Sequence, residues 1–146
     1  MPFLEEKGYD VREARTARGA ERVWALGPNI YVTRVTGHME DTHADLFEVY
    51  GADRIALAKG PLLVFHDWVE MTGYESRCRT RLTEWSLARL DRFGAVHLAV
   101  RSKIVRMGIQ VANIPLRGLI RPYPARQPLE LALREAFREE TARNNR

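Results

Sequence analysis

The chain has 146 residues, 45% of them hydrophobic and 29% charged, with a formal net charge of +4 at pH 7. That is enough for one domain with a sizeable core, and the balance is that of an ordinary water-soluble fold. The single cysteine, Cys78, excludes an internal disulfide, no apolar run approaches the roughly 20 residues of a membrane span, and the opening MPFLEEKGYD lacks the apolar stretch of a secretory signal, so a cytoplasmic protein is expected.

Residues 1–20 are polar, lack a clear period and read as an N-terminal arm, with the domain proper spanning 21–140. Glu21–Leu26 and Asn29–Thr36 read as strands joined at the hairpin signal Gly27-Pro28-Asn29, and Gly37 ends the second. Asp41 or Thr42 is placed to cap the next helix, which carries Leu46, Phe47 and Tyr50. Gly51 predicts a kink there, since glycine costs a helix about 1 kcal/mol relative to alanine. Lys59-Gly60-Pro61 stops that helix. Leu62–Phe65 is a continuous apolar run, as in a strand covered on both faces, and it halts at His66 and Asp67.

The chain then turns through Met71, Thr72 and Gly73 into a long helix that sets Cys78, Leu82, Trp85 and Phe93 near one stripe. Ala95–Val100 is the next strand. Ser102 caps a helix from Lys103 to about Ile114, stopped by Pro115, and Gly118–Tyr123 is a short strand. Pro128 stands in the first turn of the last helix, whose Leu129, Ala132, Leu133, Ala136 and Phe137 repeat at amphipathic spacing. Thr141–Arg146 reads as a frayed tail. The order ββαβαβαβα calls for an α/β fold: a mostly parallel sheet of four to five strands with crossover helices and an antiparallel N-terminal hairpin.

Three stretches carry a family resemblance: the hairpin end Val35–Met39 (VTGHM), the strand–Asp–turn–Thr-Gly–helix unit Leu62–Gly73, and the strand followed by Ser102. They resemble the STAS domains, the fold of sulfate-transporter and anti-sigma-factor-antagonist proteins, which includes SpoIIAA-like proteins of the STAS/SEC14 type. The resemblance covers roughly residues 21–138. It implies a non-enzymatic regulatory module that binds a partner protein, a kinase or another regulator, through the sheet's carboxyl edge. In anti-sigma-factor antagonists that edge holds a phosphorylated serine in an Asp-Ser-Ser/Thr-Gly element. Here Asp67 and Thr72-Gly73-Tyr74 stand in its place, more widely spaced. SEC14-like relatives imply an alternative, a small-molecule or lipid carrier with the apolar helix Ile104–Ile114 as a mobile wall.

On this reading the edge is built from His38, Asp67, Thr72, Gly73, Tyr74 and Ser102. Thr72 either caps the second helix, in a capping box with Glu75, or takes a phosphate that would gain from the helix dipole. Trp68 and Tyr74 flank the turn and suit either a partner surface or the core. Arg101-Ser102-Lys103 opens a helix and either holds an anion or is a capped end with solvated charges. His38, His43, His66 and Asp67 have metal-ligand chemistry, but their spacing matches no standard zinc pattern, so no metal or cofactor is expected. Cys78 reads as a buried apolar residue. The scattered arginines alternate with acids and form no nucleic-acid module, which leaves a solvated basic face. A homodimer, through a sheet edge or a helix face, is the default assembly.

Overall fold

The computed structural model describes residues 2–145. A seven-stranded mixed sheet runs in the order β1-β2-β3-β4-β6-β7, with β5 also paired to β3. Its strands are β1 (Tyr9–Arg15), β2 (Gly19–Ala25), β3 (Ile30–Met39), β4 (Leu62–Trp68), β5 (Met71–Tyr74), β6 (Phe93–Val100) and β7 (Ile120–Tyr123). The helices are α1 (Asp41–Leu57), α2 (Ser76–Leu87), α3 (Lys103–Asn113) and α4 (Arg126–Asn144). Strands β3, β4, β6 and β7 are parallel neighbours, whereas β1, β2 and β3 form an antiparallel meander.

Alternation along the strands sends side chains to two different layers. Phe65 of β4, with Trp24 and Val32, packs against Leu129 and Leu133 of α4 and against Phe3 and Leu4. On the opposite face, Val64 and Trp68 pack with residues of α1, α2 and α3.

The sheet is larger than the expected four to five strands, and both additions lie in segments without an apolar signature. Residues 9–15 of the expected arm are the edge strand β1, whose side chains alternate between exposed and half-buried and so show no core-like pattern. The arm also plugs the core, because Phe3 and Leu4 are buried and the indole N–H of Trp24 donates to the Phe3 carbonyl at 3.2 Å. The second addition is β5, four residues read as a turn. Gly37 marks where β3 changes partner, from β4 at Arg34 to β5 beyond it. Its φ of +76°, and the Arg18 carbonyl against the place of a Cβ, exclude a side chain there.

Several boundaries also move. Glu40, rather than Asp41 or Thr42, is the N-cap of α1, and its backbone N–H donates to His43 Nδ1 at 2.9 Å. Gly51 does not interrupt α1; the Trp85 ring lies where its Cβ would be, so close packing explains the glycine. Helix α2 is shorter than expected and Phe93 belongs to β6. Helix α4 continues to Asn144, through most of the expected tail. Met1 and Arg146, the ends of the expected arm and tail, lie outside the described residues.

Candidate functional site

Because β3, β4 and β6 are parallel, their last residues Met39, Trp68 and Val100 arrive at one edge, and β5 extends that edge alongside β3. His38 pairs with Gly73 and Met39 with Tyr74. A Cβ on Gly73 would come within 3.1 Å of His38 Nδ1, so the glycine lets the imidazole lie flat across β5. His38 Nε2 meets Glu75 Oε1 at 3.2 Å, and Arg18 meets the same oxygen at 3.0 Å.

Thr72 is exposed on β5 and caps nothing. The N-cap of α2 is Glu75, so the expected capping box is absent. Its carboxylate is instead drawn sideways to Arg18 and His38. Ser102 does cap α3, accepting from the Val105 N–H at 3.4 Å, with Arg101 and Lys103 exposed on either side. Helix α3 crosses β5 so closely that a Cβ on Gly108 would strike the Tyr74 hydroxyl, which makes Tyr74 a half-buried packing residue rather than a free surface aromatic.

Asp67 leaves the expected edge altogether. Its side chain is 0% exposed and accepts from Arg34 Nε at 3.2 Å and Arg126 Nε at 2.9 Å. The strand does not stop at His66; it continues two residues, turning Asp67 toward α4. Trp68 is likewise buried, and its indole N–H donates to Thr33 Oγ1 at 3.2 Å. Cys78 is buried, and burial together with Asp41 pushes its thiol up to about 11, leaving it protonated and inert. The histidines do not converge: His38 meets Glu75, His43 meets the Gly19 carbonyl at 3.0 Å, and His66 meets Thr33. No cluster of three or more metal-ligating side chains occurs among the described residues.

A search of solved structures finds an uncharacterized protein of the DUF3478 family from Shewanella loihica PV-4, described as having a SpoIIAA-like fold. The two chains share 13% identity at a TM-score of 0.54, over 84% of this chain and 91% of that one. In fold, this chain is SpoIIAA-like. No family model and no curated protein matches it. The SpoIIAA-like fold expected from Val35–Met39 and Leu62–Gly73 is therefore present, with β1 and β5 as strands beyond those expected.

Two features of this SpoIIAA-like domain involve the apolar helix Ile104–Ile114 that the sequence marks as a mobile wall. The first is the outer face of α3. Ile104, Met107, Val111 and Ile114 form one stripe and are 63%, 55%, 51% and 78% exposed, while Val105, Gly108 and Ala112 pack inward. The helix is thus apolar on two sides where packing needs one. Arg101, Lys103, Arg106 and Arg117 lie on or next to the helix, all exposed and none in a salt bridge among the described residues. The sequence did carry a signal: no Asp or Glu occurs from Arg92 to Leu129.

The second feature is a cavity of about 80 Å³ between the sheet and the helices. Val64, His66 and Trp68 of β4 form its floor with Val96 and Leu98 of β6, and Gly108 and Ala112 of α3 form a wall. His66 Nδ1 lies 2.6 Å from Thr33 Oγ1, and Phe47 stacks on the ring at 5.5 Å between centroids. Burial pushes the pKa of His66 down to about 3, so the ring is neutral at physiological pH.

Proposed function

We propose that this chain is a non-enzymatic binding module that docks an acidic protein surface on the outer face of α3 and the adjoining carboxyl edge. The observation that carries this reading is the exposed Ile104–Met107–Val111–Ile114 stripe beside Arg101, Lys103, Arg106 and Arg117, which form no salt bridge among the described residues. Apolar area supplies affinity, and the adjacent charge selects and steers an acidic partner. The resemblance to STAS proteins implies a regulator or kinase as that partner. Exposed Thr72, whose hydroxyl makes no hydrogen bond among the described residues, is the candidate phosphate acceptor beside it. Arg101 and Lys103 then serve as part of the cationic rim, with Ser102 as a structural cap.

The test is to identify a partner by cross-linking and to re-measure its binding with purified components. Met107→Asp, or the combined R101E/K103E/R106E, weakens binding at least tenfold on this reading, and added salt weakens the parent complex. Thr72→Asp changes affinity far more than Thr72→Ser if phosphorylation is the control. Unchanged binding by the α3 variants, or retention on anionic vesicles in place of a protein, overturns it.

A second reading has its own observation. The cavity beneath α3 supports a carrier of a small apolar molecule, with α3 as the wall that opens. Native mass spectrometry of protein purified from its own cells checks this, and a co-purifying apolar compound is the expected result.

A further inference from the structure

The cavity floor includes a buried imidazole, that of His66, whose tautomer the surrounding hydrogen bonds determine. His66 is 4% exposed and lines the cavity. The Trp68 indole can only donate, so Thr33 Oγ1 accepts from it at 3.2 Å. The Thr33 hydroxyl has one proton and no other acceptor among the described residues besides His66 Nδ1, at 2.6 Å. If it accepted from the imidazole as well, that proton would be buried with no partner, a costly arrangement. Thr33 therefore donates to Nδ1, which leaves His66 in the Nε2–H form. Nε2 has no protein partner among the described residues. Phe47, stacked on one side, and Trp68, tilted at 4.9 Å, hold the ring in place.

We propose that this cavity binds a small neutral molecule with an apolar body and one hydrogen-bond acceptor, a compact carbonyl compound, and that His66 Nε2–H donates to that acceptor. The inference rests on the carrier reading and adds to it the chemistry of the ligand. No acidic side chain lines the cavity to hold a cation; the one charged lining residue is Arg79, and most of the wall is apolar. The Thr83 hydroxyl, which also borders the space, donates to the Arg79 carbonyl at 2.7 Å. Volume limits the size, since about 80 Å³ is roughly half the 150 Å³ apolar cavity that accepts benzene. A ketone of about three or four carbons is the right scale.

Acetone and isobutene make a matched pair of probes, alike in shape but only one with a carbonyl acceptor. In the unmodified protein, nitrogen NMR of the imidazoles should find His66 protonated at Nε2. Acetone should shift that resonance, and isobutene should not. In His66→Phe the ratio of ketone to alkene affinity should fall at least fivefold. Thr33→Val, which releases the tautomer without filling the cavity, should lower the ratio less. Protonation at Nδ1, or an alkene that binds while the ketone leaves Nε2 undisturbed, overturns the anchor and leaves the carrier reading standing. Binding of neither probe removes both.

Discussion

The two faces of the sheet settle their buried polar groups differently. On the α4 face each has a partner: Asp67 is held by Arg34 and Arg126, the His97 ring meets the Tyr123 hydroxyl at 2.7 Å, and Asn29 bonds the Lys59 N–H at 2.8 Å. On the face covered by α1, α2 and α3, both carboxylate oxygens of Glu21, the Tyr50 hydroxyl, and Arg54 Nε and Nη1 are buried without a partner among the described residues. His66 Nε2 and the cavity lie on this face too. A surface optimised only for stability would not leave such groups open. The contrast marks the α4 side as the scaffold and the α1–α3 side as the one shaped by something besides folding.

Breaking the scaffold should have the largest effect. Asp67→Ala leaves two guanidinium groups facing a vacated core position and should cost about 3 kcal/mol in urea unfolding. A loss below about 1 kcal/mol would mean that the α4 face is not held by this pair. Next in size, Glu21→Gln should stabilise the protein by about 2 kcal/mol at pH 7, because burial raises the carboxyl's pKa well above its usual 4.5. The sign follows from proton uptake. Above pH 4.5 the unfolded chain gives up a proton that the folded carboxyl retains, so the parent loses stability as pH rises through that window. The two proteins should therefore converge near pH 4, and a gap that persists there contradicts the assignment.

The histidines act in the opposite direction. Burial holds His66 at about 3 and His97 at about 4, so the unfolded chain binds protons that the folded rings refuse. Their contribution is intact above pH 6.5 and is lost as pH falls below it, which thermal melts from pH 7 to pH 5 will read. Gly51→Ala is smaller still: overpacking against Trp85 should outweigh the gain in helix propensity and cost about 1 kcal/mol. The smallest change is Thr72→Ala, expected to stay within about 0.5 kcal/mol, because Thr72 is exposed and caps no helix. A loss near 1 kcal/mol would restore the capping role.

The sequence was most legible where apolar periodicity is strong. Leu62–Phe65, Ala95–Val100 and the Leu129–Phe137 stripe all become elements close to where their patterns place them. It was least legible at β1 and β5, which owe their structure to a neighbouring strand rather than to a buried face of their own. The candidate site shows the same division. His38, Gly73 and Tyr74 do come together because strand order alone brings them there. Asp67 was misplaced, since its arginine partners lie 33 and 59 residues away and nothing local signals them. The cavity and the Thr33–His66 bond are likewise products of the β3–β4 register, in which those two residues are paired.

The margins of the sheet carry a consequence for assembly. At one margin β1 carries Asp10, Arg12, Glu13 and Arg15 in near succession, and at the other β7 contains Pro122, which has no amide hydrogen to offer. Both are devices that deter an incoming strand. Copies of this chain therefore resist zipping into a continuous ribbon, and crowding them together should yield discrete particles rather than fibrils.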